Sequence, residues 1–473
     1  MADADVSSES QVRASSREHQ LRRQLGVRDL VLAQILCVVG SSWVGVAAGL
    51  GRGQTVMWCA AMALFYLPMA AVVIELNRAL PLEGGLYVWA HQAFGDLGGF
   101  LTAWNLWVYG IAVTATILYA IPTELAYLIG PAAAWLPENR LASVGIVGAI
   151  VFLITVAAVR GLDWGKWIHN VGGAAMLTVF AALILLPAWA LWRGTIHQGM
   201  VFAAVLPARN LRSLALFGQM LFGGLCGLEY IAIFAGESKQ PARSIARSVW
   251  IASPVICAMF ILGTSSVATF AAANGSEAHI DFIAPIPQTL RIALGDSGIG
   301  NLVAIAAILL LQMRLMGAAS YIFTGVTRLP MTVGWDRLLP EWFTRLDVRR
   351  TPRNSILFTA GLVLALVVLA SVGVHAQEAF QVLSNASQTH YELTYLTMFA
   401  IPMAGAAALR RQLPGWLRWV GLVGFGATLF SLLISAYPFV DVVNAGAYAA
   451  KIVGTVVISN LVAVGFYLWR RRR

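Results

Sequence analysis

Ionisable side chains inside apolar stretches are the residues best placed to do chemistry in this chain. Glu229, Arg314 and Glu392 each lie within a long apolar run. A charge there is costly unless it is paired or reached by water, so each marks a substrate contact, a proton site or an internal ion pair. Glu229 could bind a substrate amine or carry a proton. Its other reading is structural, accepting hydrogen bonds from free backbone N–H groups. Arg314 could compensate Glu229 or Glu392, or contact an acidic substrate. Glu392 and His390 end a polar run from Ser384 to Glu392, and a lipid-facing helix cannot hold such a run, so one face lines a cavity or packs on protein. Glu75 and Glu124 stand nearer the ends of their runs and are expected to reach the interface.

Two glycine-interrupted stretches suggest where a ligand would sit. One reads Val38-Val39-Gly40-Ser41-Ser42-Trp43-Val44-Gly45, the other Phe222-Gly223-Gly224-Leu225-Cys226-Gly227-Leu228-Glu229. Unwound backbone at membrane depth is tolerated only where it is buried or lines a cavity. A pair of such breaks in two halves of a chain points to a transporter site. Free N–H groups near Gly40 to Trp43 offer a place for a carboxylate, and free carbonyls at the second break attract an ammonium group. An α-amino acid carries both. The alternative is close helix packing through small residues. Trp104, Trp107, Tyr109, Tyr321, Tyr230 and Phe234 could close over a substrate, or serve as packing and interface aromatics.

Other chemistries leave no trace. There is no GxxxxGK[ST] loop, no HExxH pair and no nucleophile elbow, so neither an ATP-driven pump nor an enzyme is expected. The four cysteines, Cys37, Cys59, Cys226 and Cys257, lie in apolar segments without CxxC spacing, which argues against a metal site or a disulfide framework. No cofactor, metal or nucleic-acid partner is expected. The expected partners are a small amino acid or amine and the lipid bilayer; the oligomeric state has no signature in the sequence.

Hydrophobic residues make up 59% of the chain and charged residues 11%, too few charges to cover a water-soluble surface. Residues 1–29 lack an apolar h-region, so no cleavable signal is expected. With about 20 apolar residues needed per crossing, spans are expected at 29–50, 54–79, 98–126, 141–159, 167–192, 213–236, 246–273, 298–326, 354–372, 381–408, 414–436 and 447–469. With the N-terminus inside, 24 Lys and Arg fall in cytoplasmic segments and 7 outside. That bias places both termini in the cytoplasm of a multi-pass cell-membrane protein. The interrupted spans are then the first and the sixth, as two inverted five-helix repeats require.

Four stretches resemble the amino acid–polyamine–organocation transporter superfamily. Gly40-Ser41-Ser42-Trp43 is similar to the Gly-Ser-Gly of its first helix. Pro81 to Trp89 with Phe94-Gly95 resembles the segment after its second helix. Gly227-Leu228-Glu229, with Glu237 to Arg243, resembles its sixth helix and the exit from it. Thr327-Arg328, Asp336 to Pro340 and Thr351-Pro352 resemble the loop after its eighth helix. The resemblance implies an all-α membrane protein of about twelve helices, with a 5+5 inverted repeat of the leucine-transporter type and two C-terminal helices. In this numbering the parts are a tail at 1–28, repeats at 29–192 and 213–408, the last helices at 414–469 and a basic tail at 470–473.

The function so implied is secondary transport of amino acids or amines by alternating access, through proton symport or exchange. A sodium-coupled carrier, with Ser320 and Thr324 as ligands, or a sensor without net transport is the alternative. By position, Gly40, Ser41 and Ser42 would hold the substrate carboxylate and Gly223 to Gly227 its amino group, with Trp43, Phe222, Trp104 and Tyr321 around them. Three positions depart from the family: Ser42 replaces the second Gly, Gly223 stands where some exchangers have an aromatic gate, and Met176 stands where some proton-coupled members have a lysine.

Overall fold

A bilayer satisfies no backbone hydrogen bonds, so a chain this apolar must close them within helices or a barrel. The computed structural model takes the first course, with helices and no strand among the described residues. The structure describes residues 26–80, 85–160, 162–200, 202–229, 241–275, 280–331, 339–347, 351–372 and 374–471. Tyr230, Phe234 and residues 81–84, 237–240 and 336–338 of the motif stretches lie outside them, as do 1–25 of the tail.

The chain opens with α1 (Val27–Val38) and α2 (Ser41–Ala48), set at 47° across the break. Next come α3 (Gly51–Ala79), α4 (Leu86–Ile129), α5 (Arg140–Arg160) and α6 (Leu162–Trp192). The second half holds α7 (Leu211–Phe222), α8 (Pro241–Ala273), the short α9 (Pro285–Leu294) and α10 (Gly298–Arg328). It closes with α11 (Arg353–Ala370), α12 (Ala376–Ala404), α13 (Leu417–Ile434) and α14 (Ala445–Arg471).

Among the described residues nine helices are long and apolar enough to cross a membrane, and the bent α1–α2 pair makes a tenth. The other two expected spans fall short for physical reasons. α7 stops after 12 residues because the chain leaves the helix at Gly223. α12 is 29 residues long, but its buried face carries Ser384, Asn385, Ser387, Gln388, Thr389, His390 and Glu392.

That polar face is turned inward, as the polar run requires. α12 packs along α4 and α13, α10 along α6 and α4, and α8 against α1 and α6. Polar pairs join these helices: Gln34 donates to Ser248 at 2.6 Å and Trp58 to Thr264 at 3.0 Å, bonds of the kind that hold membrane helices together where hydrophobic contrast is lost. The outward faces of α5 and α14 carry Leu141, Phe152, Val457 and Leu461, all exposed, which suits lipid.

Candidate substrate site at the two helix breaks

The first break is two residues long. Val39 and Gly40 are extended, and α2 restarts at Ser41 with no side chain capping its first turn. Its leading N–H groups are therefore open to an acceptor. The second break begins where α7 ends at Phe222. Gly227 takes φ 106° there, a conformation that disfavours any side chain.

Trp43 joins the two. A Cβ on Gly40 would come within 2.5 Å of Trp43 Cδ1, and one on Gly223 within 2.6 Å of Trp43 Cη2. The half-buried indole thus reaches from one break to the other, and both glycines are needed to admit it. Beside it, Gln388 Nε2 is 2.8 Å from the same Gly223 position. That amide donates to Ser384 Oγ at 3.0 Å, while its Oε1 is buried with no hydrogen-bond partner among the described residues. Gln219 Oε1, one turn before Gly223 on α7, is in the same condition. Unpaired buried acceptors are rare and call for a ligand or water.

Arg314 and Glu124 complete the first break. Arg314 reaches across from α10 and its Nη2 donates to the Val39 carbonyl at 2.8 Å. It satisfies a carbonyl that the break removed from the helix. Glu124 is fully buried on α4. One of its oxygens lies 3.5 Å from Ser41 Oγ and the other accepts from Gln312 Nε2 at 3.1 Å. The Arg314 guanidinium is close enough to act on this carboxyl electrostatically. Ser42 turns the other way and donates to the Ile283 carbonyl at 3.2 Å, in the segment leading to α9.

That segment covers α2. Pro285 lies 2.7 Å from where a Cβ on Gly45 would stand. Asp281 fixes the turn by accepting from Ile283 N at 2.9 Å, Ala284 N at 3.2 Å and Tyr127 Oη at 3.1 Å. Burial pushes the Asp281 carboxyl above its ordinary range, against those bonds, which favour the charged form.

Glu229 closes the second break. Its two oxygens accept hydrogen bonds from the hydroxyls of Tyr391 and Tyr395, one turn apart on α12. The Tyr395 oxygen also accepts from Gly227 N at 2.9 Å. Tyr109 stacks on Tyr391 at 3.6 Å between ring centres. Phe222 sets its edge against Tyr391 and Tyr395 at 5.8 and 5.0 Å. A carboxylate so held ties the unwound end of α7 to α12.

Several sequence expectations end elsewhere. Arg314 was expected to compensate Glu229 or Glu392, or to contact an acidic substrate. Those two carboxyls take the tyrosine hydroxyls and Ser431 Oγ, while Arg314 donates to the Val39 carbonyl and acts electrostatically on Glu124. Glu124 is fully buried rather than turned outward, while Glu75 is ion-paired with exposed Arg78 at 2.6 Å. Trp104 does not join the breaks. It points at the last helix, donating to Ser459 at 3.0 Å, while Trp107 stacks on Phe358 of α11. Phe222 packs with the tyrosines. Tyr321 is buried two helical turns beyond Arg314 on α10. Gln388, Gln312, Tyr391 and Tyr395 were not singled out; the polar run from Ser384 to Glu392 was the only signal for Gln388 and Tyr391, and Gln312 and Tyr395 had none.

The amino acid permease family profile matches residues 30–462 of this chain. The chain belongs to the amino acid permease family. This permease is 27% identical over 457 residues to an uncharacterised transporter of Legionella pneumophila, covering 95% of this chain and 93% of that one. It is 24% identical to a branched-chain amino acid permease of Bacillus subtilis, over 72% of this chain and 73% of the other. An aspartate/glutamate permease of Lactococcus lactis is 21% identical, over 74% and 73% respectively. The permease is thus an all-helical, multi-pass membrane transporter.

Proposed function

We propose that this permease is a secondary active transporter that carries amino acids across the cell membrane by alternating access. The observation that carries the reading is the meeting of two broken helices at Trp43. The open N-terminus of α2 and the break after Phe222 face one another across a single indole. A substrate carboxylate fits the first turn of α2. Its ammonium group fits the acceptors of the second break, Gln388 Oε1 among them. The two named relatives handle side chains of opposite chemistry, apolar and acidic. What they share is the α-amino and α-carboxyl pair that the breaks suit.

The two breaks fall in the stretches expected as inverted repeats, so rocking one against the other would move both sides of the site. Glu229, with both oxygens taken by tyrosines, serves as a brace for α7. The basic residues concentrated between spans on one side support cytoplasmic termini.

The sodium-coupled alternative loses ground at Arg314. That reading takes Ser320 and Thr324, further along the same helix, as ligands. The positive charge at the first break, however, is already supplied by the Arg314 guanidinium, which donates to the Val39 carbonyl. Uptake of a radiolabelled mixture of the proteinogenic amino acids into proteoliposomes tests the function. One or more should enter, and unlabelled excess of the same amino acid should compete. No uptake of any of them contradicts the proposal.

A further inference from the structure

Glu392 stands apart from the breaks. It follows Tyr391 on α12, but its side chain turns to α13 and is fully buried. Its Oε1 lies 2.5 Å from Ser431 Oγ, and its Oε2 has no hydrogen-bond partner among the described residues. Ser431 Oγ also lies 3.0 Å from the carbonyl oxygen of Gly218 on α7.

Counting protons decides what this arrangement means. A serine hydroxyl carries one proton and a peptide carbonyl carries none. If Ser431 donates to Gly218, the short contact with Glu392 is made by a proton on the carboxyl. The chain then runs from Glu392 O–H to Ser431 O–H to the Gly218 carbonyl. If Glu392 is ionised, the serine proton turns to the carboxylate and the bond to Gly218 is lost.

The surroundings favour the first state here. On α7 the charged group is Arg212, which donates to the Phe439 carbonyl. On α13 it is Arg418, over Trp419. On α12, His390 is bonded to the Ala386 carbonyl, Tyr391 to Glu229, and Glu378 to Val443 N. On α3, Tyr66 is paired with Ser253. Among the described residues no ion pair includes Glu392. A buried carboxylate without a cation is costly, and the protonated chain leaves no charge unpaired.

We propose that Glu392 is the proton-coupling site of this permease, acting through Ser431 on α7. Gly218 lies five residues before Gly223 on the helix whose end forms the substrate site. A proton on Glu392 ties α7 to α13, and its departure frees the Gly218 carbonyl. One proton binds at Glu392 from one side and leaves to the other. The only covalent bond made and broken is the Glu392 O–H, and the Ser431 hydroxyl turns from the Gly218 carbonyl to the carboxylate as the proton leaves. Glu392 touches no substrate and is a positioning residue. The inference rests on the alternating-access reading above.

The test uses full-length protein in proteoliposomes and the radiolabelled amino acid mixture. Counterflow at equal pH reports the carrier; accumulation under an inward proton gradient reports coupling. Glu392→Gln keeps the shape of the acid and a donor for Ser431. It should retain counterflow, lose gradient-driven accumulation and lose the pH dependence of its counterflow rate. Accumulation like that of wild type overturns the proposal, and so does loss of counterflow together with accumulation in a variant that stays monodisperse. Ser431→Ala keeps the carboxyl and cuts the chain, so it tests the same step should Glu392→Gln misfold. Its pH profile should depart from wild type, and an unchanged profile overturns the proposal. A wild type that exchanges but does not accumulate under the gradient overturns it while leaving the carrier reading intact. Absence of wild-type counterflow defeats the carrier reading and the proposal with it.

Discussion

The Tyr395 oxygen donates to Glu229 and accepts from Gly227 N–H, with Met69 Sδ also 3.2 Å away. Tyr395→Phe leaves both groups buried without that partner. An unsatisfied buried group costs about 1–3 kcal/mol, so the variant should lose stability by roughly that amount in a thermal unfolding series, and substrate affinity should fall with it. An unshifted midpoint would mean that α7 is held by something else. Sequence could flag Glu229, because a carboxyl in an apolar run stands out. It could not name the tyrosines that hold it, since they lie 162 and 166 residues further on. Glu124 was misread for a related reason. Position near the end of an apolar run suggests the interface, but α4 continues to Ile129 and the segment before α9 folds over that end.

At the scale of elements, the break between α1 and α2 was legible because Gly and Ser replace the Leu and Val of a plain spanning helix. What fills the break was not. Arg314 supplies from α10 the positive charge that the Val39 carbonyl meets. Transport should therefore proceed at equal rates in sodium and choline media. Arg314→Gln should lower it at least tenfold, about 1.4 kcal/mol, by leaving the break without its cation. A strict sodium requirement in wild type would contradict this role. Helix faces were equally hidden: on α4, Trp104 turns to α14, Trp107 to α11 and Tyr109 to α12. Aromatic content alone does not say which face lines a site, because each neighbour lies far away in sequence.

For the molecule as a whole, composition and the charge bias carried the reading to a multi-pass helical protein without further help. α7 and α12 were harder to count as spans, and the reason is functional. A helix that stops at a glycine and a helix lined with polar side chains both fail tests of length and apolarity, and these two meet at Glu229. The proposed substrate site requires α2 from the first half and α7 from the second to be brought together by the assembled fold. The direct measurement is ligand-induced thermal stabilisation of purified protein against a panel of amino acids, for wild type and Gly223→Ala. A ligand at a hundredfold excess over Kd stabilises the folded state by about 2.7 kcal/mol. Wild type should be stabilised by at least one amino acid. Gly223→Ala, whose new methyl would strike Trp43, Gln388 and the Gln219 carbonyl within 2.9 Å, should stay monodisperse and lose that shift. An equal shift in both proteins would contradict the placement of the site between the two breaks.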